Sequence, residues 1–183
     1  MEVLNNPLED LMVDLETLST DSNGLILSIS AVQFDFETGE MGNIFNMGVN
    51  IHQQIVKGAH LDGNTIEWWL QQDTSAFANV RGMYRRPVEE VINEFNLFIS
   101  DNGIKNLWGN GCTFDNVMLR NMYKRHSRVF PLEFWADRDV RTVVDIFGID
   151  RREIPFTGTK HNGVDDCKYQ IEYITNKTYR KGR

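Results

Sequence analysis

Two carboxylates interrupt an apolar run near the start of the chain, Leu11-Met12-Val13-Asp14-Leu15-Glu16-Thr17. Side chains alternate along a strand, so Asp14 and Glu16 would share one face, roughly 6 to 7 Å apart at about 3.3 Å per residue. Such a pair, buried without a partner, repels itself and loses hydration worth several kcal/mol, so it is neutralised by a proton, an arginine or a metal. Magnesium or manganese is the natural candidate, because hard cations prefer oxygen ligands. The plain alternative is an exposed strand face that ends in polar residues. Three later residues weigh against it: Asp115, which follows Trp108-Gly109-Asn110-Gly111-Cys112-Thr113-Phe114, and His161 and Asp166 in His161-Asn162-Gly163-Val164-Asp165-Asp166. Each has a plain reading of its own. An acid near a helix N-terminus stabilises the dipole by ~0.3 to 1 kcal/mol, and a lone histidine usually only packs or faces solvent.

The elements that must carry these residues read as strands first, then helices and strands in alternation. A loop at 21–24 leads into a β-rich run at 25–36, and Thr38-Gly39-Glu40 suggests a hairpin into a third strand near 44–51, giving a three-stranded antiparallel unit. Asn64-Thr65-Ile66-Glu67 has the cap-x-x-Glu form of a helix start leading into Trp68 and Trp69, and a short helix is expected at 74–80. Pro87 opens an amphipathic helix whose apolar residues include Val88, Val91, Ile92 and Phe95, with Gly103 after its end. A short strand follows at 106–109. Thr113 can cap the next helix, which places Asp115 in its first turn. Residues 140–147 fit helix or strand equally, and a last helix is expected at 164–175. The pattern predicts one α/β domain over 1–183, a mixed sheet with helices on its faces.

Taken in order, Asp14, Glu16, Asp115, His161 and Asp166 resemble the DEDDh branch of the 3′-to-5′ exonuclease superfamily. Asp-x-Glu stands on the first strand, one Asp at a helix start midway, and a His five residues before the last Asp. A sister branch has Tyr four residues before that Asp, where this chain has Asn162. Thr65-Ile66-Glu67-Trp68-Trp69 and Arg138-Asp139-Val140-Arg141-Thr142 are similar to segments of a smaller group, the small bacterial exoribonucleases and phage exonuclease A. The resemblance covers about 12–173. It departs at Gly163 and Cys167, where Ala is common.

The resemblance implies an RNase H-like fold with a five-stranded mixed sheet, three strands antiparallel and later ones added in parallel. It also implies hydrolysis of single-stranded RNA or DNA from the 3′ end to 5′-mononucleotides, with two Mg²⁺ or Mn²⁺ ions. Asp14 would bridge the ions, Glu16 and Asp166 would complete one, Asp115 would help hold the other, and His161 would be the general base. Substrate contacts would come from Leu15, Thr17, Trp68, Trp69, Arg138 and Arg141. Adjacent helical residues diverge by about 100°, so only one of Trp68 and Trp69 can stack on a base, and both could equally be core. Arg138 and Arg141 are phosphate contacts or structural partners of Asp139. A catalytically silent binding module and a phosphodiesterase for small nucleotides are the competing functions, and a homodimer is possible.

Composition sets the frame. The chain has 183 residues, 41% hydrophobic and 25% charged, enough for a substantial core. No apolar stretch approaches the ~20 residues of a membrane span, and Glu2, Glu9 and Asp10 argue against a signal peptide, so a cytoplasmic location is expected. Cys112 and Cys167 are too few for a disulfide framework. The net charge of −7 speaks against a non-specific nucleic-acid coat protein. Two divalent ions would add four positive charges, taking −7 to −3 and placing positive charge where phosphate would sit. Basic clusters at Arg81, Arg85 and Arg86, at Lys124, Arg125 and Arg128, and in the tail could add to this, though such clusters are usually solvated surface.

Overall fold

A computed structural model describes residues 8–72, 78 and 80–179. Its centre is β1 (Asp10–Thr17), which pairs antiparallel with β2 (Ile26–Phe34) on one side and parallel with β5 (Asn106–Gly109) on the other. Outside β2 lie β3 (Met41–Val49) and the short β4 (Arg85–Arg86). Outside β5 lies β6 (Asp137–Asp139), so the order is β4-β3-β2-β1-β5-β6. Between them run α1 (Ile51–Val56), α2 (Gly63–Leu70), α3 (Val88–Asp101), α4 (Asp115–Arg125), α5 (Val140–Phe147) and α6 (Gly163–Thr175). The mixed α/β sheet agrees with expectation, but it has six strands rather than five. Two of the six, β4 and β6, are two and three residues long, too short for alternation to register in sequence.

Alternation along β1 sorts the core. Leu11, Val13 and Leu15 are buried against α3 and α4, with Val91, Ile92, Phe95, Met118 and Met122. Met12 points the other way, into a cluster with Val140, Cys167, Ile171 and Ile174 of α5 and α6. Asp14 and Glu16 follow Met12 on that second face, toward α6. The ends of β1 and β5 lie side by side because the strands are parallel, which brings the start of α4 beside the end of β1. In open α/β sheets this is where ligand sites form.

Local chemistry moved several boundaries. The third strand stops at Val49, because Asn50 accepts from the Gln53 backbone N–H and starts α1, a helix the apolar pattern had hidden in the strand. The cap of α2 is Asp62, whose carboxylate accepts from the backbone N–H groups of Asn64 and Thr65, two residues before the expected cap at Asn64. Pro87 occupies the N-cap of α3 rather than its first turn, and α4 starts after Phe114 with no side-chain cap, so Thr113 does not serve. The ambiguous 140–147 segment is helical, capped by Asp139 and ended by Gly148 at φ 62°, a left-handed C-cap that favours glycine. The helix expected at 74–80 lies largely outside the described residues. Among the described residues no helix is long and apolar enough to cross a membrane.

Candidate active site

The two β1 acids meet the last helix. Asn162 caps α6 by accepting from the backbone N–H groups of Val164 and Asp165, which sets Asp166 in the first turn. Carboxylate oxygens of Asp14, Glu16 and Asp166 lie within 4.8 Å of one another. Two small residues allow this approach. Gly163 lies over β2, where an added Cβ would stand 2.5 Å from the Ser30 hydroxyl oxygen, 2.7 Å from its Cβ and 3.3 Å from Asp14 Oδ2. Ser30 is the direct partner of Asp14 across the β1–β2 ladder. The departure at position 163 is therefore a packing requirement, not a weakened helix start. Gln170, one turn beyond Asp166, donates from Nε2 to Asp14 Oδ1 at 3.2 Å.

Asp115 joins from the other side. Its Oδ1 accepts the Leu15 backbone N–H at 3.2 Å, so the start of α4 is bonded to β1 between Asp14 and Glu16. Gly109 permits this, since an added Cβ there would stand 2.4 Å from Asn116 Oδ1 and 3.3 Å from the Asp115 Cβ. The fourth carboxylate thus borders the cluster of three.

His161 has φ 60°, which turns the chain tightly ahead of α6. Its ring meets Trp68 edge-on at 5.1 Å between centroids and Trp69 at 6.1 Å. With Glu16, Ser28, Ser30 and Asn46 it lines a small cavity over the β2–β3 side of the cluster. Asp165 anchors the preceding loop by accepting the Thr159 backbone N–H at 2.9 Å, so it is more than the exposed first-turn acid the sequence suggests. The tryptophans divide as helical geometry requires. Trp69 is 3% exposed and donates from Nε1 to the Thr17 carbonyl at 2.8 Å, whereas Trp68 is 42% exposed. Trp68, Leu15, Glu16, Thr17, Thr65 and Phe114 line a cleft of about 450 Å³ that opens onto the carboxylates.

The two arginines part company. Arg138 pairs in register with Trp108, level with Met12 and two strands from β1, and donates to the carbonyls of Trp135 and Asp137. It is not brought to the carboxylates. Arg141 on α5 lies over the loop that leads to Asp115, its Cζ 3.2 Å from where a Cβ on Gly111 would be. Neither guanidinium pairs with Asp139, which Arg141 meets only through its backbone N–H. That carboxylate accepts from Gly111 N and Cys112 N at 3.1 Å and from the Thr142 backbone N–H and hydroxyl, which ties the β6–α5 corner to the Asp115 loop.

Crowding of like charge governs the electrostatics. Burial, followed by the charges of Asp115, Glu16 and Asp166, raises the Asp14 carboxyl well above its ordinary range, and the Gln170 hydrogen bond only partly offsets this. Glu16 is pushed to about 8 by burial and then by Asp166 and Asp115. Asp115 rises to about 7, burial outweighing its backbone hydrogen bonds and the nearby Arg141 charge. Asp166 is also raised by burial, against the opposing charge of His161. Four acids crowded this closely form a set that divalent ions fit: all-oxygen, anionic and preformed.

A family model of the 3′-5′ exoribonuclease Rv2179c-like domain matches residues 9–178. The chain belongs to this family. It is a 3′-5′ exonuclease. No curated protein sequence matches significantly. Among solved structures, the nuclease domain of 3′hExo, a DEDDh family member bound to rAMP, superimposes with a TM-score of 0.59 at 14% identity, covering 98% of this chain and 96% of that one. A 3′-exonuclease that recognises the histone mRNA stem-loop gives 0.56 at 15% identity over 89% of this chain and 78% of the other. Product-bound exonuclease I gives 0.60 at 11% identity, with 90% and 42% covered. At these identities the likeness establishes the DEDDh exonuclease fold.

Sequence reasoning missed four parts of the site: Gln170, Ser30, Asp139 and Asp165 in its anchoring role. Only the first had a local signal, its i+4 spacing from Asp166. Ser30 depends on the β1–β2 register, and Asp139 on a contact across 27 residues.

Proposed function

We propose that this exonuclease trims single-stranded RNA from its 3′ end, one 5′-mononucleotide at a time, with two divalent ions, magnesium or manganese. The carrying observation is the convergence of Asp14, Glu16 and Asp166 within 4.8 Å, with Asp115 bonded alongside. Asp14, Glu16, Asp115 and Asp166 would hold the ions, which when bound offset phosphate charge and make water a stronger nucleophile. The 3′-terminal nucleoside sits in the cleft beside Glu16, its base against the exposed face of Trp68, where stacking tolerates any base. Trp69 acts from beneath, fixing α2 to Thr17. His161 accepts the proton of the attacking water as the water oxygen bonds to phosphorus; the bond from phosphorus to the 3′ oxygen breaks, and that oxygen stays on the shortened strand. Gln170 holds the Asp14 carboxylate in place, and Ser30 stands opposite it across the β1–β2 ladder. The family's exoribonuclease description and the rAMP in the 3′hExo structure favour RNA over DNA.

A time course on 5′-labelled single-stranded RNA and DNA tests this. A ladder shortening from the 3′ end in magnesium or manganese, absent in chelator or with a blocked 3′ end, is expected. Internal fragments from a circular single strand, or full activity in excess chelator, would refute it.

A further inference from the structure

The Arg138-Asp139-Val140-Arg141-Thr142 segment leaves one unexplained cation. Most arginines of the described residues are committed: Arg86, Arg120, Arg128 and Arg152 to carboxylates, Arg125 to Asn23 and Gly24, Arg85 and Arg138 to carbonyls. The Arg141 guanidinium makes no hydrogen bond or close ion pair with a carboxylate or carbonyl among the described residues, its charge reaching Asp115 only from a distance, and its side chain is exposed. It is nevertheless held in place. Asp139 fastens the turn of α5 to Gly111 and Cys112, and Gly111, at φ 106° and buried, leaves the space the guanidinium occupies. Such an unsatisfied fork suits an anion that offers two oxygens side by side, as a phosphodiester does, because a preorganised guanidinium loses little freedom per bond formed.

Position decides which anion. His161 lies over the β2–β3 side of β1, and Trp68 and the nucleoside cleft meet it there. Arg141 lies at the β6–α5 corner, on the opposite side of β1, past Asp115. A strand with its 3′-terminal nucleoside in the cleft and its last phosphodiester at the carboxylates must leave past Asp115 and Arg141. We propose that Arg141 binds the phosphate one nucleotide upstream of the scissile one, making the site selective for strands of at least three nucleotides over dinucleotides. This rests on the exonuclease reading above.

The test compares wild type, Arg141→Ala and Arg141→Lys, with manganese, on a trinucleotide, which carries both phosphates, and a dinucleoside monophosphate, which carries only the scissile one. Arg141→Ala should lower kcat/KM on the trinucleotide about 10- to 100-fold more than on the dinucleotide, the scale of one charge-assisted hydrogen-bonded contact, and mostly through KM. Arg141→Lys should recover part of the loss. Binding of a labelled pentanucleotide, measured in a His161→Ala background so that the strand survives, should lose about 0.7 from the slope of log affinity against log salt. Equal losses on the two substrates, or an unchanged trinucleotide rate, would overturn the proposal. A wild-type enzyme inactive on both substrates would instead sink the exonuclease reading.

Discussion

Glu16→Gln separates what the acidic cluster costs the fold from what it gives the site. In the folded protein Glu16 holds its proton up to about 8, whereas an unfolded chain releases it near the ordinary 4.5. A carboxylate raised in this way contributes stability that is fully present below about 4.5 and is lost as pH rises through 8, because the unfolded state ionises first. At about 1.4 kcal/mol per pH unit, and with Glu16 half ionised at pH 8, the span from 4.5 to 8 amounts to roughly 4.5 kcal/mol of lost stability for metal-free wild type at pH 8. Glutamine keeps the shape and removes the charge, though its buried amide costs about 1 to 2 kcal/mol unless it is bonded. Metal-free Glu16→Gln should therefore exceed wild type by about 3 kcal/mol at pH 8, a Tm rise of roughly 6 to 12 °C for a chain this long, with a flatter dependence on pH between 5 and 8. Manganese should reverse the order. At a thousandfold excess over Kd it adds about 4.1 kcal/mol to wild type and much less to the variant, which lacks a ligand. Thermal unfolding monitored by circular dichroism, in chelator and in manganese across pH 5 to 9, reads all of this. A variant less stable than wild type in chelator at pH 8, or stabilised equally by manganese, would refute the reasoning.

His161→Ala should lower turnover by about 10² to 10⁴ while the manganese-induced rise in Tm persists, which thermal unfolding beside the labelled-RNA assay checks. Trp69→Ala should destabilise by about 3 to 5 kcal/mol in urea titration, as a buried tryptophan lost from a core does. Trp68→Ala should leave the urea midpoint near wild type yet weaken RNA binding by about 1 to 3 kcal/mol, and similar midpoints for the two variants would contradict the division of roles. Gly163→Ala should cost about 1 to 3 kcal/mol through overlap with Ser30, and the added change Ser30→Gly should restore most of it in the same titration. Asp166→Asn should abolish the manganese-induced stabilisation, whereas Asp165→Ala should retain it and lose activity as the loop before His161 loses its anchor; calorimetric titration together with the rate assay distinguishes the two.

What the sequence made legible were features whose signal is local. Alternation on β1 put Asp14 and Glu16 on one face, and helical divergence required Trp68 and Trp69 to differ, which they do at 42% and 3% exposure. The cap at Asp62 is a single-residue choice that competes with an equally plausible neighbour, so the boundary slipped there, whereas at 140–147 the bounds held and only helix or strand was left open. Sheet edges were opaque because β4 and β6 are held by pairing to β3 and β5, not by a pattern of their own. The union of Asp115 with β1 spans a hundred positions. Family order supplied that contact; periodicity had no means of doing so.

Charge is where sequence and structure together say more than either alone. At −7 the chain should repel RNA, and the basic clusters that could have offset this are largely spent: Arg86 bonds Glu90, Arg128 bonds Glu89, and Arg125 is turned inward onto Asn23 and Gly24. On the proposed reading, attraction is concentrated at the site, in the cations the four acids would hold and in Arg141. An enzyme built this way grips few phosphates at a time. Each phosphate contact on a single strand contributes about 0.7 to the salt slope, so RNA binding in manganese should show a slope of only one to two rather than the steep dependence of a basic groove. Anisotropy across 50 to 300 mM salt measures it, and a slope above about four would mean that basic surface beyond the site and Arg141 meets the strand.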